Sequence, residues 1–394
     1  MTAAFIPGLR LAEAFYDESV RPLLDQAFPR LPYAAALLGA GSEVLGFDTE
    51  RSTDHDWGPR LLVLLSGGAP DEVTAMLARR LPPTFRGYPT TFPVTREPDG
   101  QARHRVEVAD VATWLASQLG FDPRPPIATT DWLAVPTQRL AEITAGAVFH
   151  DGPGELSQAR AHLAWYPRDV WLYVLARQWQ RIAQEEAFPG RCAEVGDELG
   201  SAVVTSRLAR DLMRLGLLMG RRYPPYSKWL GTAFARLPDA PALGPHLAAA
   251  IAATNWPTRE RHLGQAYRVA AGLHNGLGLT PALSTRTRRY YDRPYRVINA
   301  GRFTDALLDA IADPQIRRLP MLGAVDEFID STDALGNTGF LRAAISAAAW
   351  TAPEPVRARL ARAAAARRPA GPGRRAAGGA SPGQPGSAGP GQPG

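Results

Sequence analysis

Apolar residues in the first 125 positions follow two spacings, one typical of strands and one typical of helices. Two short apolar runs at 33–39 (YAAALLG) and 60–65 (RLLVLL) predict buried strands. The segment 103–111 (RHRVEVADV) alternates apolar and polar positions, which predicts a half-buried strand, whereas 69–81 (APDEVTAMLARRL) predicts an amphipathic helix. This order indicates a small α/β domain with a mixed sheet over residues 1–125.

Beyond the proline-rich stretch at 120–130 (GFDPRPPIATT), helical spacing dominates. In the segment 168–186, apolar side chains at Trp171, Leu172, Val174, Leu175, Trp179 and Ile182 share one helical stripe, and Pro167 precedes them as a start signal. We therefore predict a mostly helical domain over residues 126–350, and the fold class of the whole chain is α+β.

The charge of the chain is concentrated at its C-terminal end. The net charge is +6, and residues 351–394 hold seven arginines and one acid, so 37 basic and 37 acidic residues (44 − 7 and 38 − 1) remain in the body. A neutral body is not expected to bind nucleic acid in general, because such binders carry excess positive charge on the folded surface. The Arg/Pro/Gly-rich composition of 351–394 predicts a disordered low-complexity tail.

Two further classes are excluded by composition. No window reaches the ~18 apolar residues of a membrane span, and the N-terminal stretch lacks the pattern of a signal peptide, so we expect a cytoplasmic protein without membrane contact. Cys192 is the only cysteine, so neither an internal disulfide nor a thiolate metal cluster is expected.

A glycine-serine pair and a pair of aspartates precede the strand predicted at 60–65. Gly41 allows a phosphate to approach the backbone closely, and Ser42 with the following amides supplies anion-binding donors. Eleven residues separate Ser42 from Asp54-x-Asp56. If the aspartates lie on a strand, their side chains point the same way with Cα atoms ~6.6 Å apart, which suits one hard cation or a metal pair.

Glu107 is the candidate for a third carboxylate. It lies mid-strand between Val106 and Val108, where a charge is costly unless it is paired or bound to a metal. The alternative is that Glu107 faces solvent on the side opposite the valines, as in an ordinary amphipathic strand.

The pattern Gly41-Ser42, Asp54-x-Asp56 and a later strand acid resembles the signature of the polymerase-beta-like nucleotidyltransferase superfamily. The resemblance implies that the serine turn binds nucleotide phosphates and that Asp54, Asp56 and Glu107 bind two Mg²⁺ ions, for which Mn²⁺ can substitute. The chain also looks like a bacterial domain-of-unknown-function branch of that superfamily, in the phrases GSEVLGFDTERSTDHDWGPRL, AFPGRCAEVGDELG, RRYPPYSKWLGTAF and DRPYRVI.

Of the 44 basic residues, one is a lysine, Lys228. A compact ammonium suits a phosphate in a tight pocket, and Pro224 and Pro225 stiffen the segment before it. Chance survival of one lysine against a coding bias toward arginine is the alternative. The helical second domains of aminoglycoside nucleotidyltransferases close over the triphosphate, so the resemblance also implies that Lys228 binds nucleotide.

Two acids and a histidine in the helical region are further candidates. Asp197 and Glu198, like Glu107, are candidates for the general base, although acids at a helix start also stabilise the helix dipole. Arg268 and His274 loosely resemble the arginine-histidine pair of helical ribonucleases.

Together these residues predict a nucleotidyltransferase that moves a nucleoside monophosphate from an NTP, with ATP as the expected donor, to an unidentified acceptor. Two alternatives to this enzyme remain open. One is a regulator that binds nucleotide without turnover, and the other is a component of a toxin-antitoxin type system.

Overall fold

The protein is described by a computed structural model that covers residues 4–54, 57–93 and 102–350. The predicted tail, residues 351–394, lies outside the described residues. The strands are β1 (Tyr33–Leu37), β2 (Arg60–Leu65), β3 (Thr84–Phe85), β4 (Tyr88–Pro89), β5 (Thr91–Pro93), β6 (Ala102–Asp110), β7 (Ala147–Asp151), β8 (Arg288–Arg289) and β9 (Arg296–Val297).

Helices make up most of the remaining described chain, together with a π-helical segment (Tyr16–Val20) and two 3-10 segments (Glu50–Asp54 and Val325–Glu327). The α-helices are α1 (Gly8–Phe15), α2 (Arg21–Ala27), α3 (Pro70–Arg80), α4 (Val111–Leu119), α5 (Thr129–Ala134), α6 (Thr137–Thr144), α7 (Glu155–Leu163), α8 (Arg168–Glu185), α9 (Phe188–Glu194), α10 (Glu198–Met219), α11 (Ser227–Ala235), α12 (Ala240–Ala252), α13 (Trp256–Gly276), α14 (Gly301–Asp309), α15 (Pro314–Arg317), α16 (Thr332–Leu335) and α17 (Thr338–Trp350).

The main sheet is mixed and has five strands in the order β5-β6-β2-β1-β7. β1 is antiparallel to β2 and to β7, β2 is parallel to β6, and β5 is antiparallel to β6. The predicted α+β class with a small mixed sheet and a mostly helical remainder is therefore confirmed. β7 lies after the domain boundary predicted near residue 125, and that boundary stays a prediction.

The two faces of the sheet are buried against different helices because successive strand residues point to opposite sides. Tyr33, Ala35, Leu61, Val63 and Leu65 belong to one core cluster together with residues of α1, α2 and α3. The alternate positions, such as Ala34, Ala36, Leu62 and Leu64, join a larger core that continues into the helical region.

The apolar stripe predicted at 171–182 is confirmed as core. Its residues are buried in α8, which begins directly after Pro167 and packs against α10 and α14. The chain is divided between α5 and α6 because Val135 is extended before Pro136, as expected for a residue preceding proline. No helix within the described ranges has the length and apolar character that crossing a membrane requires.

Candidate functional site

The turn after β1 is fixed by backbone hydrogen bonds. Gly39 donates its amide to the carbonyl of Glu142 (3.0 Å), and Phe47 donates to the carbonyl of Ser42 (2.8 Å). The side chain of Ser42 is half-buried at the start of this loop. The segment Ser42–Phe47 therefore closes on itself.

Gly41 is required by its surroundings as well as by its conformation. Its φ is +146°, and a Cβ at this position would overlap with the guanidinium of Arg60 and lie 2.7 Å from Oε2 of Glu43. Glu43 is only 4% exposed, and Arg60 also donates to the carbonyl of Ala40. The ion pair between Arg60 and Glu43 therefore packs against the turn.

The N-terminal end of α11 lies opposite this turn. The amide of Tyr226, which precedes the helix, donates to Oε1 of Gln138 (3.0 Å). Lys228 is exposed in the first turn of α11, with Nζ 5.0 Å from the centre of the Trp229 ring. The positive end of a helix dipole and an ammonium group thus meet at one place, an arrangement that favours anions.

An aromatic contact connects α11 to the turn. The ring of Trp229 stacks on the ring of Phe47 with centres 5.1 Å apart. Arg236, at the end of the same helix, donates to the carbonyl of Gly46 (2.7 Å), and its guanidinium lies 4.3 Å from the centre of the Phe47 ring. The helix that carries Lys228 is therefore fixed to the loop that carries Ser42.

A cavity of about 640 Å³ opens between the turn and α11. Its size is in the range of small-molecule sites. Arg139 and Glu142 of α6 contribute an ion pair to its wall (2.9 Å), and Gln138 also donates to Glu142 (2.8 Å). The lining residues that matter to the site are Gly41, Ser42, Arg51, Gln138, Arg139, Glu142, Tyr226, Lys228 and Trp229.

The structure brings three of the predicted site residues to one cavity: Gly41, Ser42 and Lys228. Asp54 ends the 3-10 segment Glu50–Asp54, so the expectation that it lies on a strand is wrong. Its side chain and the whole of Asp56 lie outside the described residues. Within the described part of the chain, no group of three acids, histidines or cysteines is placed to hold a metal ion.

Glu107 lies on β6 as predicted, but it is not among the residues that line the cavity. Its side chain is exposed, whereas Val106 and Val108 join the core on the opposite side of the strand. Partial desolvation by neighbouring groups nevertheless raises the pKa of Glu107. A hydrogen bond with Trp114 and the charge of Arg60 act in the opposite direction but do not cancel this effect. Glu107 therefore faces solvent on the side opposite the valines, as the alternative interpretation expected. Its role as a metal ligand stays a prediction.

The other candidates of the helical region have structural partners. Asp197 caps α10 by accepting the amide of Gly200 (2.7 Å), and Glu198 pairs with Arg259 (2.8 Å). His274 is 1% exposed, and its Nδ1 accepts from the indole of Trp179 (3.2 Å). Burial lowers the pKa of His274 to about 4. These three side chains therefore stabilise helices and core rather than contribute to the cavity.

Sequence reasoning missed the contribution of α6 to the site. Arg139 and Glu142 stand three apart, which is also the spacing of an ordinary solvent-exposed ion pair on a helix. Only the fold shows that this pair is largely buried beside the turn. Trp229 directly follows Lys228 in the sequence, and this position could have indicated an aromatic side chain in the wall of the cavity.

Comparison with known proteins gives two likenesses. A family model described as a domain of unknown function (DUF4037) matches residues 132–230, or 99 of 394 residues, and so includes Gln138, Arg139, Glu142 and Lys228. The solved structure of a nucleotidyltransferase-like protein from Exiguobacterium sibiricum 255-15 is similar with a TM-score of 0.32 and 13% identity, over 76% of this chain and 89% of that chain. No curated protein matches. The chain is thus similar to a domain of unknown function over residues 132–230, in agreement with the predicted resemblance to such a domain.

Proposed function

We propose that the protein transfers a nucleoside monophosphate from an NTP, with ATP as the expected donor, to a hydroxyl group of an acceptor. The observation that carries the proposal is the cavity whose wall includes Gly41, Ser42 and Lys228. A glycine turn, a hydroxyl, a helix N-terminus and an ammonium are each donors to phosphate oxygens, and here they surround one space.

In this proposal the triphosphate occupies the space between the turn and α11. The backbone of Gly41 and the Ser42 hydroxyl contact the β and γ phosphates from one side, and Lys228 contacts them from the other. Trp229 lines the same space and offers an aromatic face. Because Lys228 is exposed, it is free to reorient toward the phosphates when they bind.

The reaction exchanges one phosphorus–oxygen bond for another. The acceptor oxygen bonds to the α-phosphorus, the bond from the α-phosphorus to the bridging oxygen breaks, and pyrophosphate leaves with the electron pair. The hydroxyl proton passes to a general base. Asp197 and Glu198 are poorly suited to that role, since one caps a helix and the other binds Arg259.

The proposal includes divalent cations because the candidate residues offer carboxylate oxygens as ligands. Asp54, Asp56 and Glu107 would be the ligands, since carboxylate oxygens are what Mg²⁺ and Mn²⁺ prefer. Glu107, the member whose side chain is described, is exposed and hydrogen-bonds to no cationic side chain in the described chain. When bound, two such ions would neutralise charge at the α-phosphate and favour ionisation of the acceptor hydroxyl.

A screen with purified protein, Mg²⁺ and α-labelled NTPs against a metabolite extract tests the proposal. We expect a labelled product and equimolar pyrophosphate with the parent protein, and much less of both with the Lys228→Ala and Ser42→Ala variants. Arg289→Ala is the control, because Arg289 is exposed on β8 and does not line the cavity. Nucleotide binding without any product, across all four NTPs, would favour the regulator alternative over the enzyme.

A further inference from the structure

A second cavity, of about 440 Å³, adjoins the first, and Leu45 lines both. Its apolar wall includes Phe47, Leu217, Tyr223 and Leu237. Its charged wall consists of four arginines, and no carboxylate is among the described residues that line it. These arginines are Arg160, Arg221, Arg222 and Arg236.

Within the described ranges of the chain, no acidic side chain forms an ion pair with any of these four arginines. Arg160 donates to the backbone carbonyls of Ile143, Thr144 and Ala145, and Arg236 donates to carbonyls of the turn. Carbonyl oxygens satisfy N–H groups but carry no net charge. Burial lowers the pKa of Arg160, which is the expected result when a guanidinium loses water without gaining an acid.

The backbone at Arg221 provides an independent observation. After α10, Arg222 donates its amide to the carbonyl of Leu217 (2.9 Å) and Arg221 donates to that of Leu218 (3.3 Å). This is the helix-ending pattern in which the residue at Arg221 is left-handed, and its φ is +51°. Glycine is favoured at such a position, so the arginine here costs backbone strain that Arg221→Gly would relieve.

The side chain of Arg221 is placed by an aromatic surface rather than by an acid. Its guanidinium lies 4.6 Å from the centre of the Trp171 ring. Arg221 and Arg222 are both exposed, so their N–H groups are accessible to a ligand that enters the cavity. Adjacent guanidiniums offer forked donors that match phosphate oxygens.

We propose that this second cavity binds a small organic phosphate, with its phosphate held by Arg221 and Arg222 and its apolar body against Phe47 and Tyr223. The volume fits a small molecule, and the wall combines unneutralised charge with apolar surface. The proposal does not depend on nucleotidyl transfer in the first cavity. Because Leu45 and the stacked pair Phe47–Trp229 lie between the cavities, the ligand would bind next to the candidate nucleotide site.

Titration calorimetry with phenyl phosphate on the full chain tests this site. We expect saturable binding that weakens about tenfold or more in Arg221→Gly and in Arg222→Ser, as expected for lost charge-assisted hydrogen bonds. Lys228→Ala should keep the saturable binding that the two arginine variants lose, because Lys228 lines the first cavity and not the second. Arg289→Ser is the matched control for the loss of one exposed positive charge.

The outcomes separate the sites. No saturable binding, or equal affinity in the parent and both arginine variants, would overturn the proposal. Affinity lost in Lys228→Ala but kept in Arg221→Gly would place the ligand in the first cavity and overturn it as well. Benzoate that binds as tightly as phenyl phosphate would contradict the assignment to a phosphate.

A folding measurement on Arg221→Gly distinguishes binding from structure. Glycine relieves the left-handed strain, so the melting temperature of the variant should equal or exceed that of the parent while phosphate affinity falls. A melting temperature that falls together with the affinity would show that Arg221 serves the helix end through its contact with Trp171, and would overturn its role as a ligand contact.

Discussion

Oε1 of Glu43 lies 2.7 Å from Nε of Arg60, and this ion pair lies directly against the backbone of Gly41. Arg60 is the first residue of β2, so the pair ties the turn to the central sheet. Glu43 also lines the first cavity, whose wall includes Ser42. The geometry of the candidate phosphate-binding turn therefore depends on a contact between two residues outside the glycine-serine pair.

Gly41→Ala should destabilise the protein by about 1–3 kcal/mol, because the added Cβ would displace Arg60 and Glu43 and because φ at this residue is +146°. Chemical denaturation measures the change. Gly272→Ala is the matched control: Gly272 lies in α13, and no neighbouring atom is within 4 Å of the position that an added methyl group would take, so alanine there should be neutral or slightly stabilising. Equal stability of the two variants would show that Arg60 and Glu43 can move away from the added methyl group without loss of folding free energy.

Glu327→Gln should alter how stability depends on pH. Burial, followed by the charge of Asp326, raises the pKa of Glu327 from 4.5 to about 8, and Arg214 and Arg177 oppose this. Between those values the folded state keeps a proton that the unfolded state releases, so the free energy of unfolding falls as pH rises from about 4.5 to about 8. Glutamine removes this titration.

The difference in free energy of unfolding between Glu327→Gln and the parent should therefore shift in favour of the variant by roughly 1–3 kcal/mol as the pH rises from 5 to 8. Urea denaturation at several pH values measures the difference. Glu13→Gln, at an exposed position of α1, is the control and should run parallel to the parent. A parallel profile for Glu327→Gln as well would show that Glu327 titrates normally.

The spacing of apolar residues was sufficient to predict several helices and strands. β1, β2, α3 and β6 were predicted from spacing alone, since each buries one face or both. β7 was missed because its five residues are all half-buried and its partner β1 lies more than a hundred residues earlier. Pairing over such a distance leaves no local signal.

The error at Asp54 has a local cause. Thr49 donates its amide to Oγ of Ser52 (3.0 Å), and Thr53 donates to the carbonyl of Glu50 (2.7 Å). Short polar side chains that bond to nearby backbone compete with extended structure, so ERSTD forms a 3-10 turn instead of continuing β2 backward.

The candidate site was predictable only in part. Gly41, Ser42 and Lys228 carry distinctive chemistry in the sequence, and the cavity unites them. The contacts that hold them, such as Arg236 to Gly46, join residues 190 apart in the chain. Contacts of that kind follow from the tertiary fold and not from spacing.

Asp54→Asn and Asp56→Asn should each abolish the proposed nucleotidyl transfer while leaving folding nearly intact, because both changes remove a proposed metal ligand and relieve charge repulsion. Product formation and thermal unfolding in metal-free buffer measure the two effects. Asp25→Asn, exposed on α2, is the control. If both variants unfold at markedly lower temperature than the parent, the aspartates are structural.

Removal of divalent cations should weaken nucleotide binding. An all-oxygen site of the kind proposed for Asp54, Asp56 and Glu107 binds Mg²⁺ or Mn²⁺, and the cation in turn neutralises the triphosphate. ATP titrations in Mg²⁺, in Mn²⁺ and in EDTA measure the effect. Equal ATP affinity in all three conditions would count heavily against the metal assignment.

The proposed nucleotide site is tested most directly by titration calorimetry, which measures the affinity for Mg²⁺–ATP of the parent, Lys228→Ala and Lys228→Arg. Lys228 shares the first cavity with Gly41 and Ser42, so its ammonium should contact the triphosphate. We expect Lys228→Ala to lose about 1.5–3 kcal/mol of binding free energy. Lys228→Arg should also lose affinity, since a wide fork replaces a compact charge, and thermal stability should be unchanged in both variants. Parent-like affinity in both variants would contradict the proposed contact between Lys228 and the triphosphate.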